Sequence, residues 1–555
     1  MPDAHVTGRD FGDVVDELYI VVERSARGWL SRARWLQRKD MAIDGIRVRD
    51  LATVARNDVM HCVLGVVEVW FREPGGRRAK DPELYNVPMV VALEGVDLPE
   101  EPFAEIAGPG YRALVCDGTG TAMFAGAMLS YVDQGSSLPA VQGVFEFRSV
   151  EPTQSSLAPE ARRLPDASTN TLVAVDSTHV IKVYRRMVNG TSPDLEMSVN
   201  LTRAGFRHTP AAVGYAVYRA HDGSSFPVLL VQRFVMNQGE AWRLFLAGAL
   251  DFVRGVEPDA RVRDESRKAR LGEITAMLHD ASASIDDEPF RPEEFEAADV
   301  ASLEQSLEAA VAGSVEALQR AEARYEPQQV GRMRDVSARG RDIVQLVRRA
   351  SRVLMSSDDL GKKIRIHGDL HLGQFLMVCG DGGGMPEDFV VIDFEGEPLR
   401  PVEERRRKAS PLRDVAGMQR SFDYVAYSAA FAALEEGAKR AGNGLGGSAQ
   451  MPGPRAGVGA GAGERPDDPL RRARTWGRHA GGSFLAGYLR RARCSPLGLV
   501  PRNDRDFKLL LTCFKLEKAL YEVRYELGNR PSWVEIPLAG VLDCVDELGS
   551  LVGTP

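Results

Sequence analysis

The chain has no two cysteines at the close spacing that a zinc site or a redox motif needs. Its six, Cys62, Cys116, Cys379, Cys494, Cys513 and Cys544, stand far apart and most lie in apolar runs. Cysteines of this kind are expected as buried thiols in a reducing compartment, not as a disulfide frame. Long apolar stretches are missing too. None approaches the roughly eighteen residues of a membrane helix, and the first residues are acidic and mixed, so neither a span nor a signal peptide is expected. There is no basic excess either: 70 Lys and Arg face 78 Asp and Glu, a formal net charge of −8. That balance offers no general attraction to nucleic acid or to an anionic membrane. The short arginine clusters Arg405–Arg407 and Arg471–Arg474 lie beside acidic residues and read as solvated faces. With 44% hydrophobic and 27% charged residues the composition is that of an ordinary globular protein, expected in the cytoplasm. Its 555 residues leave room for two to four lobes, each with its own core.

Against that plain background two segments stand out. One is Ile366-His-Gly-Asp-Leu-His-Leu-Gly-Gln-Phe375, and the other is Val390-Val-Ile-Asp-Phe-Glu-Gly-Glu397. They set His367, Asp369, Gln374 and Asp393 in order, between the apolar runs Lys363–Ile366 and Phe389–Ile392. Phosphoryl transfer requires two oxygen ligands for Mg²⁺, one carboxylate to orient the acceptor hydroxyl, and a hold on the phosphates. Asp369 suits the acceptor role at the tip of a loop. The Gln374 carbonyl, five residues on, and the Asp393 carboxylate, at the end of a strand, suit the metal. The order matches H-R-D-x-x-x-x-N followed by D-F-G in protein kinases, with His-Gly-Asp, Gln and Asp-Phe-Glu substituted. Taken singly, each residue reads as a turn cap; the set at these offsets points to a kinase-like phosphotransferase.

The nucleotide residues follow from similar chemistry. Val180-Ile-Lys-Val-Tyr184 alternates like a strand, and a lysine in such a strand must find an anion or pay for its desolvation. Phosphate oxygens of ATP would satisfy Lys182, with Glu196 as the carboxylate that holds it in place. A lysine snorkelling at a sheet edge is the plainer alternative. Ser168 and Asn170, in Ser168-Thr-Asn-Thr171, precede the strand where a phosphate-cradling loop would lie. Gln232 and Phe234, in Val228–Val235, fall where a hinge strand would receive adenine. For the acceptor, Glu517, Tyr521, Arg524 and Tyr525 recur at helical spacing, Arg413 and Asp414 follow the metal-binding strand, and Trp533 could offer a stacking wall. His367 is placed with this acceptor set. The plainer reading of these residues is a polar helix face with internal ion pairs.

Longer stretches carry a family resemblance. Ile392–Pro398, Glu404–Arg407, Ser410–Tyr424, Ser168–Thr171, Val180–Arg186, Asn189–Glu196, Phe206–Pro210, Lys515–Glu526 and Asn529–Pro537 closely resemble the bacterial maltokinases, over most of residues 165–540. Those enzymes use ATP to phosphorylate the anomeric hydroxyl of maltose. The resemblance implies an α+β, bilobal protein-kinase-like fold, with a strand-rich N-lobe under an N-terminal cap and a mostly helical C-lobe. It also implies ATP and Mg²⁺ as cofactors, maltose as acceptor and maltose 1-phosphate as product. That product would feed α-glucan or glycogen synthesis, with a functional link to a trehalose–maltose isomerase. Glucosamine kinases, aminoglycoside phosphotransferases and a regulatory pseudokinase remain the alternatives.

The expected organisation has three parts: cap and joining strands over 1–150, the nucleotide-binding part over 151–240, and the helical lobe over 241–555. The cap opens near Arg34-Trp35. Where maltokinases follow with Phe-x-Gly-Lys, this chain has Leu36-Gln-Arg-Lys39, so no role passes over from that glycine. Cys62–Phe71 and Val87–Leu93 are its clearest strands. Residues 441–467 are rich in Gly, Ala and Pro and are expected as a disordered insertion.

Overall fold

The computed structural model describes residues 14–36, 38, 41–73, 75–108, 111–153, 159–165, 169–256, 260–325, 327–378, 388–397, 400–440 and 468–553. Ser168, Cys379 and the expected insertion 441–467 lie outside the described residues. The chain divides into two compact units, Met1–Arg203 with Pro210–Met236, and Ala204–Thr209 with Asn237–Pro555. The segments 1–150 and 151–240, read above as two parts, thus fall mainly within one unit.

The first unit is strand-rich. It starts with helix α1 (Val14–Arg32), followed by β1 (Ala42–Arg56), β2 (Met60–Arg72), β3 (Glu83–Asn86), β4 (Met89–Leu93), β5 (Ala104–Gly108) and β6 (Tyr111–Asp117). After α2 (Ala122–Gln134) come β7 (Ser137–Pro139), β8 (Gly143–Ser149), β9 (Ala161–Arg163), β10 (Thr171–Val175), β11 (His179–Val183) and β12 (Arg186–Met187). Helix α3 (Pro193–Arg203), β13 (Ala212–Ala220) and β14 (Ser225–Arg233) complete it. Two antiparallel sheets result. The first runs β12-β3-β2-β4-β6-β5 with β1 on β2, and the second runs β7-β8-β13-β14-β11-β10-β9.

Strand β2 shows why the first sheet has two buried faces. Its side chains alternate: Val63, Val67, Val69 and Phe71 join one core with α1, while Cys62, Leu64 and Val66 join another with α2 and the second sheet. A strand covered on both sides needs a nearly continuous apolar run, and Cys62–Phe71 supplies it. Helix α1 buries Val14, Leu18, Val22, Ala26 and Leu30 at steps of four, one stripe on the sheet. Each fully buried Leu or Val of this kind contributes about 1.5–3 kcal/mol.

The second unit is mostly helical. It contains α4 (Ala241–Arg254), α5 (Ala260–Ala283), the short β15 (Glu293–Glu294), α6 (Ala297–Ala321), α7 (Pro327–Ala338), α8 (Gly340–Met355) and β16 (Lys362–Lys363). The hairpin β17 (Phe375–Val378) and β18 (Asp388–Val391) follows, then α9 (Val402–Arg405), α10 (Leu412–Arg440), α11 (Pro469–Ala492), α12 (Asp504–Asn529) and α13 (Glu535–Val552). Helices α5 and α11 cross so closely that a Cβ at Gly272 would lie 2.0 Å from the Phe484 carbonyl oxygen. One at Gly487 would lie 1.9 Å from that of Ala269, so glycine is required at both positions. Among the described residues no helix is long and apolar enough to cross a membrane. Cys62, Cys116, Cys513 and Cys544 are buried as expected, and burial pushes the last three thiols up to about 12. Cys494 differs: it is exposed just beyond α11.

Candidate active site

The loop at 366–374 enters the second unit between short extended segments and is held from behind by buried groups. Asp414, at the start of α10, accepts from the backbone N–H of His367 and of Gly368, both at 2.9 Å. Its carboxylate also meets His279 Nε2 of α5 at 3.1 Å, and His279 Nδ1 meets the Tyr488 hydroxyl of α11 at 3.1 Å. Burial would raise the Asp414 carboxyl, but the His279 contact and its other donors outweigh this and lower it. His367 is buried as well. Its Nδ1 accepts from the Asp369 N–H at 3.3 Å, which leaves the proton on Nε2 to reach the Ile392 carbonyl at 3.0 Å. His367 and Asp414, both expected at the acceptor, use these atoms to hold the loop, and Asp414 also borders the pocket around Asp369.

Asp369 is half-buried and its Oδ1 accepts from Lys518 Nζ of α12 at 3.1 Å. The same ammonium donates to Glu397 at 2.6 Å. Burial alone would lower the Lys518 ammonium, yet Asp369 and Glu397 raise it well above the ordinary lysine range. Glu397 shows the converse: burial would raise it, but Lys518 and Arg400, the latter at 2.5 Å, hold it low. Around Asp369 a pocket is walled by Glu397, Arg400, Arg405, Arg413, Phe514, Glu517, Lys518 and Tyr521. Burial pushes the Tyr521 phenol up to about 12.

The expected acceptor residues separate here. Glu517, Tyr521 and Arg413 wall this pocket, with Arg413 bonded to Glu517 at 3.2 Å and its guanidinium 5.2 Å from the Phe514 ring centre. Arg524 is exposed and lies against Gly313 of α6, outside the pocket wall among the described residues. The wall uses 514, 517, 518 and 521, so it keeps 517 and 521 of the face read in the sequence and lies about one turn nearer the start of the helix than 524. Trp533 is buried against Tyr424, at 6.2 Å between ring centres, rather than at the pocket. Arg405, read as solvated, donates to the Glu395 carbonyl at 3.0 Å and packs on Gly396.

Gln374 and Asp393 do converge. The Gln374 amide nitrogen lies 3.5 Å from Asp393 Oδ2, and a half-turn of the amide would present its oxygen there instead. Asp393 holds a φ of +68°, a left-handed backbone that a non-glycine residue adopts at a cost. The turn places its carboxylate beside the Gln374 side chain. An oxygen pair of this kind suits a hard cation such as Mg²⁺.

In the first unit Lys182 is buried on β11 with Asp194 set against it at 2.9 Å, and the expected Glu196 lies on the same helix as Asp194. Asp194 also accepts from the Tyr184 hydroxyl at 2.8 Å. Glu196 stands two residues further along α3, a rotation of roughly 200° that turns it to another side of the helix. Asn170 is buried just before β10. Gln232 donates to the Pro210 carbonyl at 3.4 Å, and the Phe234 N–H is taken by the Thr178 carbonyl at 2.8 Å.

A strand-rich unit with a buried lysine on its sheet and a helical unit with this Asp–Gln–Asp loop define the kinase-like phosphotransferase fold. Glucosamine kinases are among the proteins similar to this chain. One from Streptacidiphilus jiangxiensis is 25% identical over 392 residues, 68% of this chain and 72% of that protein. Another from Mycolicibacterium smegmatis is 26% identical over 260 residues, 46% and 57% of the two. The solved structure of a glucosamine kinase in complex with glucosamine, ADP and inorganic phosphate aligns over 95% of this chain and 98% of that one. Its TM-score is 0.60 at 20% identity, a likeness of fold. No protein-family profile matches the chain.

Proposed function

We propose that the chain is an ATP-dependent sugar kinase and that glucosamine is its acceptor. The observation that carries the reading is the pocket around Asp369, where a half-buried carboxylate meets charged groups and two aromatic side chains. Sugar sites combine those features: convergent hydrogen-bonding groups and an apolar wall. Asp369 would accept the proton of the acceptor hydroxyl as its oxygen bonds to the γ-phosphorus and the bond to the β-phosphate oxygen breaks, releasing ADP. Lys182, held by Asp194, is assigned to the nucleotide phosphates. Gln374 and Asp393 would hold Mg²⁺, which supplies positive charge to phosphate oxygens. Asp369, Glu397 and Glu517 are among the carboxylates of the wall, where an ammonium could be received, and the named relatives support an amino sugar.

Maltose is the second reading. It is favoured by helix α12, whose maltokinase-like stretch Lys515–Glu526 supplies Glu517, Lys518 and Tyr521 to the pocket. Each carboxylate of the wall that is named here already has a cation: Lys518 for Asp369 and Glu397, Arg413 for Glu517. A neutral disaccharide fits such a balanced wall. ADP release measured with glucosamine, maltose, glucose, trehalose and kanamycin separates these readings. Turnover with glucosamine and none with maltose supports the first; the reverse moves the assignment to maltose. No turnover with any sugar sinks both.

A further inference from the structure

Lys182, Tyr184 and Arg185 follow one another closely, and the last two turn to opposite sides, as successive residues of extended chain do. Tyr184 reaches Asp194 and so belongs with Lys182. Arg185 turns into the other core and is fully buried. Its Nη2 donates to Asp117 at 2.5 Å and to the Thr119 hydroxyl at 3.3 Å, and its guanidinium lies 4.9 Å from the Trp35 ring centre. Its Nε donates to the Thr171 hydroxyl at 2.8 Å. The backbone is fastened beside it: Asn86 of β3 receives the Arg185 carbonyl on its N–H at 2.7 Å and donates its amide to the Tyr184 carbonyl at 3.3 Å.

A buried ion pair is weak evidence for stability, because apolar side chains of the same volume often serve as well. What apolar groups could not do is grip a hydroxyl. Thr171 opens β10 directly after Asn170. In the ladder it faces Val183, and its neighbour Leu172 faces Lys182. Arg185 therefore ties the end of the first sheet, through Asp117 and Trp35, to the start of β10, next to Asn170 and paired with β11, which carries Lys182. We propose that Arg185 is a positioning residue through which the first sheet sets nucleotide affinity. This rests on the assignment of Asn170 and Lys182 to ATP.

The test uses the full chain, with Mg·ADP titrated in the absence of sugar and with KM for ATP, KM for sugar and Tm measured alongside. Thr171→Val removes the accepted bond at nearly constant shape and should weaken ADP roughly tenfold, the usual effect of one lost hydrogen bond to a charged group. The sugar KM should not move. Thr171→Ser keeps the oxygen and should behave as wild type, while Asp117→Asn should weaken ADP in the same sense as Thr171→Val. The inference is overturned if Thr171→Val lowers Tm with ADP affinity unchanged, if both substrates shift alike, or if serine fails to restore binding. A wild-type chain that binds no ADP overturns the nucleotide assignment itself, whereas variants that match a wild type that binds overturn the positioning role alone.

Discussion

Lys182 and Lys518 are both lysines drawn out of water and matched to carboxylates, one in each unit, and the groups that fix those carboxylates differ. Lys182 has Asp194 at 2.9 Å, and Tyr184 fixes that carboxylate from the side. A carboxylate fixed by both an ammonium and a hydroxyl is suited to holding a group in one place. Lys518 is shared between Glu397 at 2.6 Å and Asp369 at 3.1 Å. The trio carries a net negative charge, and its longer contact is to the residue proposed to meet the acceptor. The same ion-pair chemistry can thus lock a carboxylate or leave it partly available. Which happens depends on what else fixes the carboxylate: a tyrosine hydroxyl bonds Asp194, whereas Asp369 shares its ammonium with Glu397.

The largest effect should come from the available side of that comparison. Asp369→Ala should cut kcat by about 10²–10⁴, the usual worth of a positioned base, with the KM for ATP nearly unchanged. A variant retaining more than a tenth of wild-type turnover would remove Asp369 from the reaction. On the locked side, Lys182→Met should raise the KM for ATP by roughly tenfold to a hundredfold while sparing that for sugar. Asp194→Asn should follow it in direction. Equal loss for both substrates in steady-state kinetics would mean that the pair serves the fold alone.

A smaller shift should appear in metal dependence. Asp393→Asn should raise the Mg²⁺ concentration for half-maximal rate by on the order of tenfold, and Gln374→Asn by less, since it keeps the amide on a shorter arm. Identical Mg²⁺ curves for Asp393→Asn and wild type would place the metal elsewhere.

The mildest change concerns pH. Glu397 has its pKa depressed in the folded chain, so its stabilisation is present above the unfolded carboxylate value and is lost as pH falls through the folded one. Lys518→Met removes a main cause of that depression. The variant should therefore lose stability sooner on acidification, its acid midpoint moving to higher pH by a few tenths of a unit up to about one unit. Tm measured from neutral to acid pH reads this directly. An unmoved midpoint would show that Arg400 alone holds Glu397 low.

Much of this site can be read from the chain because its key groups sit at fixed offsets in short segments. Asp369, Gln374 and Asp393 are placed by a loop and a hairpin, and Lys182 by strand alternation. The strand-rich unit is also legible, through β2's apolar run. Residues chosen by three-dimensional packing were not. Lys518 sits in Lys515-Leu-Glu-Lys-Ala, where it looks like any solvated helix lysine, and only the rotation of α12 turns it inward. The kinase comparison points to a helix glutamate, Glu196, and does not mark Asp194 two residues earlier. A first-turn aspartate already reaches the lysine. His279 and Tyr488 are far from the loop in sequence, and no local pattern marks their meeting behind Asp414.

That meeting depends on the crossing of α5 and α11. Gly272 and Gly487 let the helices touch, and His279 and Tyr488, further along and next in line, then reach each other and Asp414. A methyl group added at either glycine would wedge the helices apart and disturb the backbone under Asp369 without altering any residue of the pocket. Because the two positions share one contact, their substitutions should not be additive: once the helices are apart, a second methyl costs less than the first. The two helices thus act as one support for the loop, and a change at position 272 sets what a change at position 487 can still cost.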